Sequence, residues 1–225
     1  MGGYVRLLWF YTAGFAGFIT VAMQEPKPLL ELLDDDAMLL AGWYAVAYDL
    51  EHVMSATKSL VALLQQPESE GILVRSLWTS ALISYVRCFG SGRRVRLETS
   101  IYIHLPGDPI STHQYYKDTR DKHIAHPVNV FEEVRVGVIT AASGEAIGIG
   151  HLASFRVCDS VEGVNQLGAL AMVAMQHVRS VIKPLEQAIL ARIDASPEQL
   201  TSLTPLRIQP QGGSEAARTP RGSTR

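Results

Sequence analysis

Cysteine is scarce in this chain. Cys88 and Cys158 are the only two, 70 positions apart. Neither belongs to a C-x-x-C pair, so a zinc–thiolate site is not indicated. Their apolar surroundings suit buried free thiols in a reducing compartment, so a cytoplasmic location is the expectation. An excess of one charge is missing too. Twenty Lys and Arg face 22 Asp and Glu, a formal charge of −2. No global field pulls the protein toward nucleic acid, and any such attraction must be local. Internal repeats are absent. Long apolar runs are limited to one, the uncharged residues 7–23 behind Arg6. Those seventeen residues sit at the lower edge of the ~17–25 that span a bilayer. The small-residue site at Thr20-Val21-Ala22 also fits a secretory signal. Met23-Gln24-Glu25-Pro26-Lys27-Pro28 reads equally as a natural start, which makes the preceding run an over-extension. On every reading, residues 1–23 are set apart from the fold, and membrane contact follows only if they are an anchor.

What remains has ordinary globular composition. Apolar residues make up 47% and charged residues 19% of 225, enough for one domain with a real core. From 29 to 64 the apolar residues recur at three and four, as on a helix. A short helix is expected first, then a long one from about Asp35, where Asp34-Asp35-Asp36 suits a helix start. A second helix should run over 70–89, with Ile72, Leu73, Leu77, Trp78, Leu82 and Tyr85 on one stripe. Gly90-Ser91-Gly92 stops it, and the basic cluster Arg93-Arg94-Val95-Arg96 follows. That cluster is either a solvated loop or a patch that tracks phosphates. A third helix is expected from about Ile110 to His126, where Pro127 disfavours α geometry. Alternation over Val134, Val136 and Val138, resumed at Ile147 and Ile149, predicts a β-hairpin over 134–157 turning near Ser143-Gly144. A last long helix should span 161–193, capped by Asp159 or Ser160 and kinked at Pro184. The fold class is therefore mainly α: a bundle of about four helices over 24–196 with an inserted hairpin. Residues 197–225 read as a polar, disordered tail.

The chemistry concentrates in Arg120-Asp121-Lys122-His123-Ile124-Ala125-His126. Histidine moves protons near neutral pH, and the planar fork of arginine holds phosphate. An RNA phosphodiester can be cut by its own 2′-hydroxyl if a base, an acid and cations surround it. His126 supplies the base or acid, Arg120 the cation, and Asp121 can orient either. No metal or other cofactor is required. One copy of the motif offers one His–Arg pair, and a twofold dimer would offer two.

The motif resembles the signature of the HEPN superfamily, in which an Arg is followed by a polar residue and, after four to six intervening residues, by a His. Arg120, Asp121 and His126 stand at those positions. The string Arg-Asp-Lys-His-Ile-Ala-His is similar to the abortive-infection branch, and so is the upstream Tyr85-Val86-Arg87-Cys88-Phe89. The resemblance implies an all-α bundle, a homodimer and a metal-independent endoribonuclease with Arg120, Asp121 and His126 as its catalytic set. It further implies a toxin or phage-defence role with an antitoxin partner, although some members only bind RNA or nucleotide. The 134–157 hairpin departs from a pure helical bundle. Lys122, His123, Tyr116, Arg87, Arg93 and Arg94 are the candidates for RNA contact.

Plainer readings of the same residues stay open. Arg120, Asp121 and Lys122 also suit a solvated helix face, and His126 a helix C-terminus favoured by the dipole. On a continuous helix His123 shares a face with both Arg120 and His126. Tyr116 suits either base stacking or the core. A metal on His123, His126 and Asp121 or His113 has permissible spacing, but Arg120 and Lys122 would repel a cation.

Overall fold

A computed structural model describes residues 29–67, 71–90, 95–124 and 132–207. The protein is mainly helical with one two-stranded antiparallel hairpin, the expected fold class. Helix α1, Asp35–Leu64, begins where the acidic cluster predicts. The Asp34 side chain accepts the Ala37 N–H at 3.0 Å, and Asp35 and Asp36 lie in the first turn, where carboxylates complement the helix dipole. Helix α2 is Gly71–Arg87 and helix α4 is Val161–Ala195, which continues through Pro184. Helix α1 packs against both. Val46, Leu50, Val53 and Leu60 of α1 are fully buried against stripes on α2 and α4.

The partners fix the directions. Asp34 bonds Arg192 and Tyr44 bonds Glu186, whereas Gly168 opposes Thr57, so α1 and α4 are antiparallel. A Cβ on Gly168 would lie 2.9 Å from Thr57 Oγ1, so glycine allows this close approach. Asp49–Arg87 and His52–Ser80 contacts make α1 and α2 antiparallel as well. A 3₁₀ turn at Thr99–Tyr102 and helix α3, Pro109–Thr119, close one end of the bundle. Asp108 caps α3 by accepting from Ser111 N–H at 3.1 Å, with Pro109 in the first turn. Cys88 and Cys158 are thiols and form no disulfide with each other. Burial pushes the Cys158 thiol up to about 11, so at neutral pH it is protonated and unreactive.

Strands β1, Glu132–Thr140, and β2, Ala146–Phe155, pair from Glu132↔Phe155 outward to the turn. Gly144 has φ +86, a conformation that costs glycine nothing. Two expectations fail at the ends of the domain. Residues 29–34 form no short helix. Leu30 bridges Pro205, with Leu206 N–H donating to Leu29 O at 2.7 Å and Glu31 N–H to Thr204 O at 2.8 Å. The stretch 197–207, expected within the disordered tail, carries a short helix α5, Gln199–Ser202, and this strap. Backbone pairing across 175 positions overrides a weak local helical pattern. Among the described residues no helix is long and apolar enough to cross a membrane. The 7–23 run and the tail from 208 lie outside the described residues.

Candidate functional site

The helix carrying the motif does not continue as expected. Helix α3 ends at Thr119, and Arg120–Ile124 is wound as a π turn. Thr119 Oγ1 donates to Tyr115 O at 2.8 Å, a back-bond that bends helices. Single π turns inside helices are frequent at functional sites. With hydrogen bonds running to the fifth residue, side chains three apart no longer stack. The expected shared face of Arg120 and His123 is therefore lost, and the two separate.

His123 lines a cavity of about 200 Å³. Helix α2 contributes Arg75 and Trp78 to it, α3 contributes Tyr115, and the hairpin root contributes Glu132 and Arg156. Arg75 Nη2 lies 3.4 Å from Glu132 Oε1, both partly exposed. Arg156 Nη2 donates to Asp159 Oδ1 at 2.8 Å. Asp159 also accepts the Tyr115 hydroxyl at 2.9 Å and the Ser160 N–H at 2.8 Å. Burial, and then the bond to Asp159, raise the Tyr115 pKa, so its hydroxyl stays a donor. The position of Asp159 depends on Gly163, where a Cβ would come 2.5 Å from Asp159 Cγ.

Arg120 stands beside this pocket's rim segment but does not line it. Its Nη1 bonds Asp121 Oδ1 at 2.8 Å. Its Nε is buried with no hydrogen-bond partner among the described residues. Lys122 Nζ is 3.1 Å from Asp118 Oδ2. That bond, with Gln114, holds the Asp118 carboxyl below its usual range. His126, Arg93 and Arg94 lie outside the described residues.

Two candidates for RNA contact are placed elsewhere. Tyr116 is fully buried, its hydroxyl donating to Gly163 O at 2.6 Å and its ring edge-on to Trp78, so it cannot stack on a base. Arg87 lies twelve residues beyond Arg75 on α2, about 18 Å along the axis, and clamps the buried Asp49 through two bonds. Its guanidinium holds α1 to α2 instead of facing the pocket. The residues that sequence reasoning missed are Arg75, Arg156, Tyr115, Glu132 and Asp159. Arg156 and Asp159, three apart just before a helix cap, carried a readable signal. Arg75 carried none, because an arginine on the polar side of an amphipathic helix reads as solvated.

In the core a buried polar chain fixes its own protons. The Leu170 carbonyl can only accept, so Tyr102 donates to it at 3.1 Å. Tyr85 must then donate to Tyr102 at 3.1 Å, which leaves His113 Nδ1–H to donate to Tyr85 at 2.9 Å. His113, weighed as a metal ligand, is used here. Among the described residues no three His, Cys, Asp or Glu side chains gather as a metal site. Compared with known proteins, the chain matches no family model, no curated protein and no solved structure.

Proposed function

We propose that this protein is a metal-independent endoribonuclease of the HEPN type, working as a homodimer. The observation that supports the reading is the π turn, from which His123 and Ile124 join a pocket that also holds Arg75 and Arg156. In the proposed reaction the RNA 2′-hydroxyl attacks its own phosphorus. One imidazole takes the hydroxyl proton, a second protonates the departing 5′-oxygen, and the P–O5′ bond breaks. The products are a 2′,3′-cyclic phosphate and a 5′-hydroxyl. His126 is assigned proton transfer. Arg120, oriented by Asp121, is assigned the charge of the phosphorane, where preorganised cations act most strongly. One motif supplies one imidazole of the pair, so two protomers share the cleft. A toxin or defence role, with an antitoxin partner, rests on the motif resemblance alone.

A second reading has its own support. The motif cations are already bonded to carboxylates, Arg120 to Asp121 and Lys122 to Asp118. Such balance suits a module that binds RNA or nucleotide without cutting it.

Incubation with structured RNA in EDTA separates the two. Cleavage leaving cyclic phosphate ends supports the enzyme. The His126→Ala variant should then lose about 10²–10⁴ in rate with the fold retained, and Arg120→Lys should be impaired because lysine lacks the fork. Binding without cleavage selects the module. Wild-type rates from His126→Ala would refute the catalytic assignment.

A further inference from the structure

The hairpin has two unlike faces. Strand alternation and the pairs Val134↔Ala153, Val136↔His151 and Val138↔Ile149 put Val134, Val136, Val138, Ile149 and Phe155 on one side. The other side carries Glu133, Arg135, Ser154 and the glycines Gly137, Gly148 and Gly150, with Leu152 exposed opposite Arg135 and Ile139 lying over Gly150. On the apolar side Val136 is 73% exposed, Ile149 70%, Val138 60%, Val134 58% and Phe155 52%. Among the described residues the strands pack mainly on each other, and the hairpin meets the helices at its root through Arg75–Glu132.

We propose that this face is the docking surface for the same face of a second copy of the chain. An isolated two-stranded hairpin is marginal in water and gains its stability from a covered face. The exposed apolar side chains amount to roughly 500 Å², within the ~300–600 Å² of a monomer's largest patch, which often serves a function. Doubled across a twofold axis, with Ala153 and His151 included, the buried area approaches the ~1,200 Å² at which stable interfaces begin. The face suits a copy of itself better than the alternatives. It carries no Lys or Arg to hold nucleic acid phosphate. It also lacks the basic and Trp flanks of a membrane-seated element. Its ionisable groups are Glu132 at the root and His151 mid-strand. A twofold axis through the middle of the strands lays the Val136–His151 pair of one copy over the same pair of the other. The stripes of α2 and α4 are occupied inside the protomer: Trp78, Tyr85, Leu167 and Val178 are buried there.

The test is sedimentation of the full chain at tens of micromolar, with two matched double variants. Wild type should sediment as a dimer. Val136→Lys with Val138→Lys should halve the mass while leaving helical circular dichroism unchanged. Ile139→Lys with Leu152→Lys, on the opposite face, should leave the dimer intact. A monomeric wild type overturns the proposal, as does a dimer that survives the first pair or is lost with the second. A monomer that binds phosphatidylcholine vesicles, and stops binding in the first variant, assigns the face to lipid and also overturns it. Should the first variant fail to fold, amide exchange of the wild type decides: hairpin exchange should slow with rising protein concentration, and concentration-independent exchange refutes the dimer.

Discussion

His113 sits in the core beside Phe89 and Tyr85, with ring centroids 4.4 and 5.6 Å away. Burial lowers its pKa, with nearby Lys117 adding to the effect. An unfolded histidine takes its proton near pH 6.5, while the folded one resists it. The unfolded state therefore binds more protons on the acid side of 6.5. Stability is full above that pH and falls as the solution is acidified through it. The urea midpoint should drop between pH 7.5 and pH 5, and the drop should flatten in His113→Gln. A midpoint that is level over this range in wild type would contradict a buried neutral ring. Asp34 acts in a separate window. Its pKa is lowered first by the Ala37 backbone bond and then by Arg192, so its contribution is present above 3.8 and disappears below. Tyr85→Phe interrupts the tyrosine chain and should cost about 1–3 kcal/mol, read as a lower unfolding midpoint. At this scale the sequence was only partly readable. Tyr116 and His113 share a helix with the motif and look like site residues. Their partners, Gly163 and Tyr85, lie 47 and 28 positions away, and no local spacing reveals them.

At the scale of elements the periodicities were more legible. The starts of α1 and α4 stand within a residue of their expected caps, because Asp34 and Ser160 side chains do bond the first turns. The hairpin and its Gly144 turn follow directly from alternation. The π turn was invisible, since its five residues are compatible with an α-helix and only its surroundings unwind it. The strap was missed for the opposite reason: its pairing is entirely long-range. The join between α4 and the hairpin gives an element-scale test. Gly163→Ala puts a methyl 2.5 Å from the Asp159 carboxylate carbon, so Asp159 must release Arg156 or Tyr115. A loss of about 1–3 kcal/mol is the usual scale for such a disruption. On the proposed reading, RNA cleavage or binding should fall with it, although Gly163 is no pocket residue. A variant with unchanged stability and unchanged RNA handling would show that the Asp159 hub does not hold the pocket.

At the scale of the whole molecule, the shared-cleft reading makes a quantitative demand. A fixed amount of wild type, exchanged against a tenfold excess of His126→Ala, should keep only about a tenth of its activity, because nearly every wild-type chain then sits in a mixed dimer. Undiminished activity would mean that one protomer suffices. The bundle itself was largely foreseeable, because three long apolar stripes have few ways to bury one another. The pocket was not, for it draws on α2, α3, the motif and the hairpin root, four segments that only the tertiary fold brings together.

The strap at Leu30–Pro205 and the Asp34–Arg192 pair mark one pole of the molecule; Asp159, Arg156 and the pocket mark the other. Between Gly163 and Arg192 run about 45 Å of helix axis. A spectroscopic label on Leu30 or Pro205 would therefore report on the strap from the far end of the described residues, undisturbed by whatever enters the pocket beside Arg156.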